Sequence, residues 1–209
     1  PSRFLRADTA IVIRDPRSLL TPRMAGVLDR IARAARAPLH TLTPREARIA
    51  YEAGAEILEQ TPGRVAHIRD FPTAARDGAP LHARLYRAEA ADTSASPVLL
   101  VLHGGGLVIG SIATHDMLCR DLCARSRGSV VSLDYRLAPE HPFPAAFNDA
   151  CDALEWLHAN AAVIGCDAAR IAIGGDSAGG ALAASVAIWA RDKRWPLALQ
   201  LLITPHTAA

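Results

Sequence analysis

Ser177 stands in Gly175-Asp176-Ser177-Ala178-Gly179, with a glycine two residues to either side. The residues before it, 170–174, read as a strand, and those after it, 178–192, as a helix. A G-x-S-x-G pattern in that setting makes a strand-to-helix turn too sharp for bulky neighbours. The serine hydroxyl is then exposed at the carboxyl end of a sheet. The helix N-terminus adds free N–H groups and the positive end of a dipole. A serine held this way can attack a carbonyl. The same residues would also suit a glycine-rich turn that only packs a helix on a strand.

A second glycine cluster, His103-Gly104-Gly105-Gly106, follows a continuously apolar run at 98–102. Three glycines in a row can bring bare backbone N–H groups up to a ligand. Acyl transfer needs such donors, because the carbonyl oxygen becomes anionic in the tetrahedral intermediate. The alternatives are a tight turn without a ligand and a phosphate-binding loop. Neither G-x-G-x-x-G nor G-x-x-x-x-G-K-[ST] fits these residues, so the dinucleotide and P-loop forms drop out. His103 invites the role of base. A base in this arrangement follows the serine, so His103 is read as a structural histidine that holds the glycine loop.

The elements that must position these residues are legible as alternating strands and helices. A first helix is expected to begin at Asp15-Pro16, with Leu20, Met24, Val27, Leu28 and Ile31 at helical spacing. A second begins at Thr43-Pro44, where Thr43 and Glu46 form a capping box, and runs to about Leu58, closed by Pro62 and Gly63. Residues 64–70 and 81–86 read as an antiparallel pair across a turn at Asp77 to Pro80. Strands follow at 98–103, 129–135, 170–174 and 198–203, and helices at 114–126, 145–161 and 178–192. The apolar run at 98–103 suits a strand buried on both faces, and 129–135 reads as a second buried strand. The pattern predicts an α/β fold with a mostly parallel central sheet covered by helices on both faces.

Composition narrows the function. The 209 residues carry a formal net charge of +2, and the arginines are spread rather than clustered, which leaves no footprint for nucleic acid. Aromatic residues make up 5%, too few to suggest stacking platforms. The four cysteines, Cys119, Cys123, Cys151 and Cys166, form no C-x-x-C pair. His115, Cys119 and Cys123 recur every four residues, which would suit one helix face. Core packing is the expected use of the cysteines, and no metal is expected. No run is apolar and long enough to cross a membrane. Arg3, Arg6 and Arg14 interrupt any signal-like apolar region, so a soluble cytoplasmic protein is expected.

HGGG at 103–106, DYRLAPEHPFPAAFND at 134–149 and GGDSAGG at 174–180, in that order, resemble the hormone-sensitive-lipase-like (bacterial class IV) esterases of the α/β-hydrolase fold. The resemblance covers nearly the whole chain. It implies Ser177 as nucleophile, and the N–H groups of Gly105, Gly106 and Ala178 as oxyanion hole. His103, Gly104, Gly175, Asp176 and Gly179 would support the motifs, and Asp176 is not the triad acid in this family. Residues 1–62 would form an N-terminal helical cap and 63–209 the hydrolase core. The implied reaction is hydrolysis of short- to medium-chain acyl esters through an acyl-serine, with no cofactor. The residue after HGGG is commonly aromatic in the family. Leu107 stands there and would soften one wall of the pocket.

The family's triad acid and histidine come later than the serine, and neither is found in this chain. Nothing acidic follows Asp192, and His206 matches a loop position rather than the base. The C-terminal strands are therefore expected to be missing, which would leave the strand at 198–203 as an open apolar edge. Three explanations stay open. The remainder could lie on a second chain after cleavage or belong to the intact protein beyond this sequence. Alternatively, the product is short and inactive unless a partner completes it. A homo-oligomer or a completing C-terminal fragment is the expected partner, beside a small-molecule ester. The alternative is a non-catalytic scaffold that binds a small molecule.

Overall fold

The computed structural model describes residues 15–58, 63–88 and 95–207. These fall into two compact units, one up to Thr41 and one from Leu42 onward. In the first unit, two helix-start signals compete. Asp15 accepts a bond from the Arg17 N–H at 3.0 Å, but caps only a 3₁₀ turn, Pro16–Leu19. Leu20 then turns extended, at φ −81° and ψ 145°, and the turn cannot propagate. Thr21 accepts from the Met24 N–H and starts α1 (Pro22–Arg33). The helix expected with Asp15 as its N-cap therefore begins six residues later, at the second Pro-containing start. Met24, Leu28 and Ile31 line an exposed face of α1.

The second unit opens with α2 (Pro44–Leu58), whose start forms the expected capping box. The Thr43 N–H donates to Glu46 at 2.9 Å, and the Glu46 N–H donates to the Thr43 hydroxyl at 3.3 Å. Pro62, expected to close this helix, lies outside the described residues. The chain then builds β1 (His67–Ala74), β2 (Pro80–Arg87), β3 (Ser96–Leu102), α3 (Asp116–Ser126), β4 (Ser129–Asp134), α4 (Ala145–Asn160), β5 (Cys166–Asp176), α5 (Ala178–Asp192) and β6 (Leu199–Ile203). β1 starts three residues later than the sequence suggests and runs through Pro72. An edge strand tolerates that proline because one side of its backbone needs no partner. β5 starts four residues earlier than expected, across a register shift opposite Ser96 and Val98.

The six strands form one sheet in the order β1-β2-β4-β3-β5-β6. The β1–β2 and β2–β4 pairs are antiparallel, and the β4–β3, β3–β5 and β5–β6 pairs are parallel. Alternation assigns each strand residue to a face. Leu85, Leu100, Leu102, Val131 and Leu133 pack with Leu154 and Leu157 of α4 and Leu182 and Val186 of α5. Tyr86, Val101 and Val130 point the other way, onto Cys119 and Cys123 of α3. The run 98–102 of β3 is unbroken and apolar because both faces of that strand are covered. Among the described residues no helix is long and apolar enough to cross a membrane.

Candidate active site

The parallel strands point their carboxyl ends the same way, and the loops after β3, β4, β5 and β6 gather there. That is where open α/β sheets bind ligands. Ser177 sits between β5 and α5 at φ +51° and ψ −118°, a conformation that costs a non-glycine residue on the order of 1–3 kcal/mol. The backbone holds it there from both sides. Its N–H donates to the Ile203 carbonyl at 2.9 Å, and its carbonyl accepts from the N–H groups of Ala181 and His206, each at 3.1 Å. The side chain is exposed and caps no helix N–H. Its flanking glycines have no room for a side chain. A Cβ on Gly175 would sit 2.3 Å from the Leu102 carbonyl oxygen, and one on Gly179 would sit 2.0 Å from the same atom.

That contact joins the serine turn to the loop after β3. The loop runs through Gly105, Gly106 and Leu107 at φ +120°, +63° and +64°. The Gly105 carbonyl turns inward to accept from the N–H groups of Val108 and Ile109. The N–H groups of Gly105 and Gly106 bond to no acceptor among the described residues, and Ala178 opens α5 with its N–H free of helix partners. Leu107 is half-buried against the larger core.

His103 and Asp176 hold the loop from below. The His103 ring is buried, with Nδ1 2.8 Å from the Gly104 carbonyl, and it stacks on Tyr135 at 4.2 Å between centroids. Tyr135 donates its hydroxyl to the His103 carbonyl at 2.6 Å. Burial pushes the His103 imidazole down to about 4, against the opposing pull of the Gly104 bond, so the ring is neutral at neutral pH. Asp176 accepts the Gly104 N–H at 2.9 Å and lies 3.1 Å from His115 Nε2. Burial alone would raise its carboxyl. The His115 ring and the N–H groups of Gly104 and of Asp176 itself outweigh burial and hold it below the usual aspartate range.

His115 does not share a helix face with the cysteines. It ends a 3₁₀ turn, Ala113–His115, ahead of α3, and its ring faces Asp176 and Thr114. Cys119 and Cys123 are buried thiols, pushed up by burial to about 12 and about 11, and Cys123 donates to the Gly128 carbonyl. The main-chain N–H of His206 reaches Ser177, while its side chain is exposed. Among the described residues no imidazole or carboxylate bonds to the Ser177 hydroxyl.

The loop after β4 is held by α4. Arg136 spans to the fully buried Asp149, with Nη2 donating to Oδ1 at 2.6 Å, and also donates to Asp77. Two residues of α2 that sequence reasoning passes over also face this end of the sheet. Arg48 donates to the carbonyls of Val108 and Ala138. Tyr51, one turn on, is half-buried, and burial together with the Asp176 charge raises its phenol. Neither carries a local signal, since the partners of Arg48 lie 60 and 90 residues away.

Comparison with known proteins bears on the family and the fold. Residues 99–209 match the family model of the alpha/beta hydrolase fold. An ethyl acetate hydrolase of Pseudomonas putida is 41% identical over 82% of this chain and 55% of its own. Esterase LipI of Mycobacterium tuberculosis is 49% identical over 56% of this chain and 37% of its own. Among solved structures, an ester hydrolase from the metagenome of Lake Arreo superposes with a TM-score of 0.85 at 41% identity, over 91% of this chain and 62% of that one. A hyperthermophilic esterase from Pyrobaculum calidifontis gives 0.82 at 39%, over 89% and 59%. The chain thus spans about half the length of the curated relatives it matches.

Proposed function

The chain belongs to the alpha/beta hydrolase fold family, and from that premise we propose that it carries the nucleophile half of a serine carboxylesterase. Ser177 is the nucleophile, and the N–H groups of Gly105, Gly106 and Ala178 form the oxyanion hole. The observation that carries this reading is the serine's geometry. Its backbone is held at a costly φ between glycines that have no room to be anything else, with its hydroxyl exposed. A turn that only packed a helix would not require that cost.

The reaction follows from these parts. Ser177 Oγ attacks the ester carbonyl, and its proton passes to a base. The carbonyl oxygen becomes anionic and is met by the three N–H groups, each worth on the order of 10² in rate. The C–O bond breaks, the alcohol leaves with the proton, and water releases the acid from the acyl-serine. The base and its carboxylate partner are not found among the described residues, and a segment that supplied them would add at the β6 side of the sheet. Without them, only about 10³ to 10⁴-fold acceleration over water remains.

The test is hydrolysis of p-nitrophenyl esters from acetate to octanoate by the protein at its natural length. The expected result is turnover that is fastest for the short and medium chains and lost in Ser177→Ala. A folded protein that turns over none of them, or a Ser177→Ala variant that keeps its rate, would make the chain a non-catalytic scaffold.

A further inference from the structure

The free N–H groups of Gly105 and Gly106 serve catalysis only if residues 105–109 keep one conformation. Three consecutive residues there have positive φ, two of them glycines with many other conformations open to them. Something must remove that freedom. Gly104 is fixed by Asp176 at the start of the loop. The far side is fixed by Arg48, a residue of α2.

The arginine makes four bonds with one planar group. Nε donates to the Val108 carbonyl at 2.7 Å and Nη2 to the Ala138 carbonyl at 2.9 Å. Nη1 and Nη2 donate to the two Glu140 carboxylate oxygens at 2.9 and 2.6 Å. Ala138 in turn donates its N–H to the Leu107 carbonyl at 2.8 Å. Leu107 and Val108 are thereby tied to the loop after β4 by a direct bond and by a bridge through Arg48. The fork geometry of guanidinium suits this task, since a lysine ammonium cannot hold two carbonyls and a carboxylate in one plane. The bonds to Arg48 hold Glu140 down to about 2, so the pair keeps both charges across neutral and mildly acidic pH.

We propose that Arg48 is a positioning residue for the oxyanion hole: by gripping Val108 and Ala138 from α2, it fixes the loop that presents the Gly105 and Gly106 N–H groups. This role rests on the esterase reading. It makes the seating of α2 a condition of catalysis, because the same side chain belongs to the helix and holds the loop. Arg48 touches no reacting atom. Its loss should therefore act on the transition state, where the oxyanion exists, and spare the binding of the neutral ester.

The experiment compares the natural-length protein with Arg48→Ala and Arg48→Lys, reading kcat and KM on p-nitrophenyl butyrate with and without added guanidinium. Arg48→Ala should lose about 10- to 100-fold in kcat with KM within about twofold, the scale expected for a misplaced catalytic group. Guanidinium in the vacated space should restore part of kcat, which a general loss of packing would not allow. Arg48→Lys should fall between wild type and alanine, and it decides the matter alone if the alanine variant does not fold. A kcat equal to wild type in the folded variants overturns the proposal. So does a parallel rise in KM without rescue, which would make Arg48 a packing residue only. A wild-type protein without turnover overturns the esterase reading and this role together, and is thereby distinguished from failure of Arg48 alone.

Discussion

The serine turn and the β6 edge lie side by side, joined by the bond from the Ser177 N–H to the Ile203 carbonyl, yet they are built in opposite ways. At the turn both backbone groups of Ser177 are bonded, and a single Cβ added to Gly175 or Gly179 would overlap the main chain of β3. At β6 the far side of the strand has no partner among the described residues, and Leu199 is 59% exposed. The groove beside it, lined by Ala187, Arg191, Trp195 and Leu199, is at the end of α5 remote from Ser177. The difference separates what is preorganised from what awaits a neighbour. Nucleophile and oxyanion donors are fixed by contacts within the chain, while the side that would receive the base offers unpaired backbone.

Gly179→Ala should break that contrast most strongly. Its Cβ would fall 2.0 Å from the Leu102 carbonyl oxygen and 2.4 Å from that of His103, both backbone atoms that carry the glycine loop. The expected loss is about 3 kcal/mol or more in urea unfolding, because neither atom can yield without moving β3.

The next effect is a pH dependence. His103 titrates near 4 when folded and near about 6.5 when unfolded, so the unfolded chain binds the extra proton between those values. Its contribution to stability is fully present above about pH 6.5 and is lost as pH falls toward 4, by up to about 3 kcal/mol. Urea titrations across that window should show the slope, and His103→Gln should flatten it. A smaller effect has the opposite sign. Ser177→Gly relieves the strained φ and should stabilise the fold by about 1 kcal/mol, after allowing for the greater freedom of glycine in the unfolded chain. The smallest is Leu199→Lys. On an edge that stays open it should change stability by less than about 0.5 kcal/mol. A loss of about 2 kcal/mol or more in the natural-length protein would show instead that Leu199 is covered there.

The same contrast governs how much the sequence discloses. The elbow is legible because its demands are local: two glycines and a serine within five residues record a close approach that only glycine permits. The strand at 98–102 is legible because burial on both faces leaves no polar residue to interrupt it, while the strand at 129–134 keeps Ser129 and Ser132 buried among its apolar residues. The start of α1 is misread because Asp15-Pro16 and Thr21-Pro22 carry the same capping signal, and only the extended backbone of Leu20 separates them. The four-residue spacing that would put His115 on one helix face with Cys119 and Cys123 says nothing about a 3₁₀ turn that aims its ring at Asp176. Arg48 leaves no trace at all, since its function lies in carbonyls that any residue would supply at positions 108 and 138.

The most direct test of the central claim is intact-mass spectrometry of the natural-length protein after exposure to a fluorophosphonate, which adds covalently to activated serines. The account predicts one phosphonyl group, located by peptide mapping on Ser177 and absent from Ser177→Ala. A folded protein that stays unlabelled, or one labelled at another residue, would contradict it.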